Sequence, residues 1–234
     1  MGQVITVASG KGGVGKSTIT AGLCASLAYH GKRVLAMDAD AGLRGLDLIL
    51  GLEDEAVYDL ADVLSGRKRL SDAIIRHEPL GALFFLAAPL TPDSPYLTEQ
   101  ALRSLIAHTG NAFDFIIIDS PSGLSPWARS IAAVCDRLLM VTTPDPASVR
   151  ATAHASQVLG GKQKLIINRI DSRAVRDGVL PNMDAIIDTV AVPLIGLIPE
   201  DRGAVWGKGE AAGIAMQNIA LRLDGKHKPL YRFW

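Results

Sequence analysis

Two hydrophobic rhythms alternate along the chain. Short unbroken runs of aliphatic and aromatic residues are followed by segments whose apolar positions recur every three or four residues. The unbroken runs predict buried strands, and the spaced ones predict amphipathic helices. Strands are expected over residues 3–8, 33–37, 82–87, 113–118, 137–142, 164–168 and 193–198. Helices are expected over 17–30, 58–64, 71–75, 98–108, 125–134, 147–159, 183–190 and 211–223. Ile19, Leu23 and Leu27 set the first helical stripe and Gly31 ends it, while Thr98 is placed to cap another helix. Residues 38–52 read as a polar, glycine-containing connection.

The first strand, helix and strand fall within about 35 residues, the length of a βαβ unit with parallel strands. Continued alternation predicts one α/β domain over residues 1–225, a single doubly wound, mostly parallel sheet with helices on both faces. Only the basic and aromatic tail, residues 226–234, changes character.

Composition narrows the function classes. Of 234 residues 48% are hydrophobic and only 5% aromatic, which suits an aliphatic sheet and argues against disorder. The 24 basic and 24 acidic residues cancel, so no global field draws the chain to nucleic acid. No apolar stretch reaches the roughly 18 residues of a membrane span. No basic segment followed by a cleavable apolar one opens the chain, so a cytoplasmic protein is expected. Cys24 and Cys135 stand outside any CxxC pair and read as reduced thiols.

The chemistry begins after the first strand. Gly10-Lys11-Gly12-Gly13-Val14-Gly15-Lys16-Ser17 fits G-x-x-x-x-G-K-[ST], between a strand and a helix. Glycines let backbone N–H groups turn inward around a phosphate, and the helix adds the positive end of its dipole. Lys16 is expected on the β- and γ-phosphates and the Ser17 hydroxyl on Mg²⁺. Lys11 is too early in the loop to share the γ-phosphate with Lys16. It is placed to cross to a partner's nucleotide, as an arginine finger does in trans. Asp38 and Asp40 close the second strand, either as a polar turn or, since residues two apart share a face, as a pair that can approach the ligand crevice. Ile116-Ile117-Ile118-Asp119 is an apolar strand ending in an acid, expected to hold Mg²⁺ through Asp119. Ser120-Pro121-Ser122-Gly123 follows as a loop that a γ-phosphate can order.

The run Lys11-Gly12-Gly13-Val14-Gly15-Lys16-Ser17-Thr18 resembles the deviant phosphate loop of the MinD/ParA/Mrp class of ATPases, a P-loop NTPase fold of the SIMIBI type. Asp38 through Asp47 resembles the switch segment of the MinD branch, and Leu43–Gly51 and Ile198-Pro199-Glu200-Asp201 favour that branch. The resemblance spans residues 2 to 223 and implies an ATP- and Mg²⁺-dependent homodimer in which Lys11 enters the opposite subunit's site. It implies that Asp40 orients the attacking water and that Asp38 supports the metal end. It also implies that Asn168 and Arg169 on one strand end, and Pro199, Glu200 and Asp201 on another, bracket the adenine. A protein partner follows, a division inhibitor or activator, with division-site placement as the role. A DNA- or cargo-partitioning ATPase and a flagellar-number regulator share most of these motifs. An iron–sulfur ATPase would need thiolates across the dimer axis, where Cys24 is not expected.

MinD proteins usually end in an amphipathic helix that grips the bilayer. Here Lys226–Trp234 supplies bases and aromatics suited to a membrane interface, but Pro229 interrupts a helix and the segment is short. The location this implies is the cytoplasm, with peripheral attachment to the inner face of the cell membrane through that tail.

Overall fold

The computed structural model describes residues 2–42, 44–109, 112–177, 183–201 and 211–232. In chain order the first half holds β1 (Gln3–Ala8), α1 (Lys16–Tyr29), β2 (Val34–Asp38), α2 (Gly45–Leu50), α3 (Leu60–Leu64), α4 (Leu70–Ala73), β3 (Ile75–Arg76), β4 (Leu83–Leu86) and α5 (Glu99–Thr109). The second half holds β5 (Phe115–Asp119), α6 (Pro126–Val134), β6 (Arg137–Thr142), α7 (Pro146–Leu159), β7 (Gln163–Ile170), α8 (Ser172–Arg176), α9 (Met183–Val190), β8 (Leu194–Pro199) and α10 (Ala211–Leu223).

One sheet runs in the order β3-β4-β2-β5-β1-β6-β7-β8. All pairs are parallel except β3 with β4. The order reverses at β1, whose neighbours are β5 and β6. That reversal opens the crevice at the carboxyl ends of the strands where doubly wound sheets bind ligands.

Both faces of the sheet are covered, and alternation along the strands shows how. Ile5, Val7 and Ile117 pack with α1, α2 and α10 on one face. Val4, Ile116 and Ile118 pack with α3, α5 and α6 on the other. A strand wetted on neither side has no polar positions to alternate with, which is why these strands read as continuous apolar runs. α1 is buried almost all round because α2 and α10 flank it on the sheet.

The expected elements form, with four differences, one of them the short helix α8, which follows β7 and was not expected. The connection after β2 contains the short helix α2, whose six residues are too few to show a period. The piece expected as helix over 71–75 ends at Ala73, and Ile75–Arg76 turns into an antiparallel edge strand. β7 runs two residues past Asn168, through Arg169 at φ 55°, with a break in its register against β8. Thr98 caps α5 as expected, accepting the Ala101 N–H at 3.2 Å.

The described part of the tail lies against the body. Arg222 donates through Nε to the Lys228 carbonyl at 2.8 Å and also to the Ile195 carbonyl, and Tyr231 packs against the core. Phe233 and Trp234, the outermost aromatics of the expected membrane segment, lie outside the described residues, as does Leu43 of the switch.

Candidate functional site

The glycine loop sits at the reversal point of the sheet. α1 begins at Lys16, and its N-cap is Gly15 in the left-handed conformation at φ 96°. No side chain caps that end, so the first-turn N–H groups face the crevice with no side-chain acceptor, the arrangement an anion fills. Two glycines are required by more than the motif. A β-carbon at Gly10 would collide with the Ala151 carbonyl of α7, and one at Gly15 with the Asn168 amide.

Lys16 is buried and Lys11 is exposed. That difference fits the two expected roles, with one amine enclosed at the start of α1 and the other at the surface. Lys11 Nζ lies 3.4 Å from Asp145 Oδ1. Asp145 caps α7 by accepting the Ser148 N–H at 2.9 Å. Hydrogen bonds from Thr143 and Ser148, and then the Lys11 charge, hold its carboxyl below the usual range. Sequence reasoning missed this residue. Its only local signal was an Asp-Pro pair opening a helix, a common N-cap pattern.

This half-exposed ion pair is weak, worth roughly 0–1 kcal/mol. Asp145→Asn keeps a capping side chain and removes the charge. Two such pairs open per dimer, so we expect its ATP-dependent dimerisation midpoint to fall by no more than about thirtyfold, read by light scattering, with Tm nearly unchanged.

β2 and β5 pair in register so that Asp38 lies beside Asp119. Both carboxyls are buried. Asp38 accepts the N–H groups of Asp40 at 3.0 Å and of Leu46 at 3.2 Å, so it ties the switch segment and the start of α2 to the sheet. Burial, then the Asp119 charge, raises its pKa to about 7. Burial also raises Asp119 to about 6, against the pull of the Ser17 and Thr20 hydroxyls and of Lys16. Asp40, half-buried, is raised by burial and lowered in part by Lys16. A hydroxyl and a carboxylate meeting at Ser17 and Asp119 form a hard oxygen donor set that fits Mg²⁺ completed by phosphate and water.

These raised carboxyls make stability depend on pH. A carboxyl whose pKa is higher folded than unfolded binds more protons in the native state, so stability falls as pH rises from the unfolded value near 4 to the folded value. For Asp38 that window closes near pH 7. Among variants scanned by calorimetry without nucleotide, Asp38→Asn is expected to lose less Tm than wild type between pH 5 and 7, about the range set by the two pKa values.

The residues expected to bracket the base also meet. Gly15, Thr18, Asn168, Arg169, Pro199 and Asp201 border one cavity of about 310 Å³ beside the loop. Asn168 is buried and donates one amide hydrogen to the Val14 carbonyl at 2.8 Å, so the side chain expected to offer a pair to adenine first braces the phosphate loop. Glu200 is exposed at the cavity edge. Cys24 is fully buried within α1, and burial pushes its thiol far up. It faces the core and no dimer surface.

A parallel sheet with a phosphate loop at its reversal point, two loop lysines and a strand-end acid beside the loop serine defines a P-loop nucleoside-triphosphatase of the two-lysine class. The chain belongs to the CobQ/CobB/MinD/ParA nucleotide binding domain family, which it matches over residues 5–205. It is 38% identical over 251 residues to the septum site-determining protein MinD of Synechocystis, covering 100% of this chain and 93% of that protein. It is 39% identical over 253 residues to MinD of Helicobacter pylori, covering 100% and 94%. Among solved structures it superposes on the MinC:MinD complex of Aquifex aeolicus with TM-score 0.87, at 34% identity over 98% of this chain and 99% of that one. MinD of Pyrococcus horikoshii bound to Mg-ADP gives 0.82 at 31% identity, covering 96% of each chain. A ParA-family ATPase of Chlorobium tepidum, at 23% identity and TM-score 0.73, shares the fold.

Proposed function

We propose that this chain is a Mg²⁺-dependent ATPase that switches between monomer and ATP-bound homodimer and thereby places the division site through a protein partner. The observation that carries the reading is the contrast between the two loop amines, Lys16 buried at the start of α1 and Lys11 exposed and held by Asp145. Lys16 and the loop N–H groups bind the β- and γ-phosphates, while Ser17 and Asp119 hold Mg²⁺ with Asp38 behind them. Held by Ser17 and Asp119, Mg²⁺ would supply charge neutralisation at the phosphates. Asn168, Arg169 and Pro199–Asp201 receive the base. Asp40 orients the water. Lys11 leaves Asp145 and enters the partner subunit's site, so hydrolysis waits on dimerisation.

The partner belongs to the class of division inhibitors and activators, a reading supported by the similarity to the MinC:MinD complex. Lys226–Trp234 attaches the dimer to the inner face of the cell membrane. One short tail buries little apolar area, so two copies on one dimer are needed for stable attachment. No helix among the described residues is long and apolar enough to cross a membrane.

One experiment tests the reading. Sedimentation with anionic liposomes is run in ATP and in ADP, for the full chain and for a chain lacking the last nine residues, with sizing in parallel. ATP is expected to yield dimer in both chains and pelleting only in the full chain. A monomer in ATP overturns the switch, and pelleting that ignores either nucleotide or tail overturns the attachment.

A further inference from the structure

A second cavity, of about 730 Å³, lies away from the nucleotide site, between the far ends of α1 and α2, the segment after β3, and α10. Its volume falls within the roughly 300–1,000 Å³ of small-molecule sites. Ala25, Leu50, Leu52, Pro79 and Leu80 supply apolar walls. Glu55 and Glu78 reach it from exposed positions, and Tyr29 stands at its edge, 74% exposed. Among the described residues that line it there is no Lys or Arg. Its one imidazole, His77, is buried, accepts the Leu80 N–H at Nδ1, and is biased toward the neutral form by that burial. The described lining residues therefore present two carboxylates, an apolar floor and no fixed cation.

Two elements join this cavity to the phosphate site. α1 opens with Lys16 and Ser17 in the loop and ends with Ala25, Ser26 and Tyr29 in the cavity. α2 starts where the Leu46 N–H meets the Asp38 carboxylate and ends with Leu50 and Gly51 in the cavity. Six residues of helix span only about 9 Å. A ligand that wedges Leu50 thus bears on the switch segment through one rigid turn and a half.

We propose that this cavity binds an amphipathic organic cation, an apolar body carrying one amine or guanidinium, and that its occupancy alters nucleotide affinity by displacing α2. The carboxylates supply the attraction for the cationic head and the aliphatic walls the burial for the body. The coupling rests on the nucleotide reading above; the binding does not. Coupling of this kind is reciprocal, so the nucleotide changes the cation's affinity by the same factor.

The test uses three probes of one shape, 4-phenylbutylamine, 4-phenylbutanol and 4-phenylbutyrate, titrated calorimetrically into nucleotide-free full chain. The amine is expected to saturate, the alcohol to bind more weakly, and the carboxylate to bind at least about tenfold more weakly than the amine. Glu55→Gln with Glu78→Gln is expected to bring amine binding down to that of the alcohol. Gln217→Trp, a partly exposed position on α10 that borders the cavity, is expected to block all three while the circular dichroism spectrum is unchanged. Absence of saturation to about 5 mM, equal binding of acid and amine, or indifference to Gln217→Trp overturns the site. Saturating amine is then expected to shift the ATP dissociation constant at least about threefold. An unchanged constant in a protein that binds both overturns the coupling. These binding arms need no ATP, so their failure is distinct from failure of the ATPase reading.

Discussion

Lys11→Ala is expected to bind ATP nearly as wild type and to lose hydrolysis by about 10³-fold or more, the range seen when a cation supplied in trans is removed. The binding half follows from burial, because Lys16 and the loop N–H groups, proposed to hold the phosphates, are untouched. The catalytic half follows from exposure. Lys11 is exposed and lies 3.4 Å from Asp145, a contact it must leave to reach reacting atoms in a partner's site. Fluorescent-nucleotide titration and phosphate release measure the two halves. Unchanged turnover would show that the amine has no role in the transition state.

Asp40→Ala is expected to bind ATP, dimerise, and hydrolyse about 10²–10⁴-fold more slowly, the usual contribution of a group positioning a proton-transferring water. It then accumulates as dimer on sizing, since hydrolysis is what dissolves the dimer. Combining the two variants separates trans from cis action. In a heterodimer, the nucleotide bound to the Lys11→Ala chain meets an intact Asp40 from its own chain and an intact Lys11 from its partner. Random pairing makes half the dimers mixed, with one competent site of two, so activity recovers to at most about a quarter of wild type. If Lys11 acts within its own chain, neither site of the mixed dimer is complete and mixing recovers nothing.

Much of this site was legible in order along the chain. Phosphate binding needs backbone N–H groups, a lysine and a hydroxyl at set intervals, and a loop opening a helix places them by local geometry alone. Asp119 was legible for a similar reason, because an aliphatic run that ends in a carboxylate has no packing use for that charge. Asp145 was not. It sits 134 residues from Lys11 and meets it only because β6 lies beside β1. The second role of Asn168 was equally hidden, since its bond to the Val14 carbonyl spans 154 residues.

The short elements divide the same way. The edge strand Ile75–Arg76 has two residues and takes its form from the β4 backbone it pairs with. α2 is fixed by Asp38 at its start and by its seat on α1, and its six residues carry no period of their own. The far cavity exists only because four separate segments leave space between them.

What the sequence determined by itself is therefore the alternation of strand and helix, the phosphate loop and the acids at the strand ends, because each is set by interactions within a few residues. The tertiary structure alone decided which residue holds Lys11, what Asn168 braces, how deeply Asp38 and Asp119 are buried, and where the tail lies. Those depend on strand order and burial, which bring distant residues within hydrogen-bonding reach and strip water from them, and no local pattern encodes either.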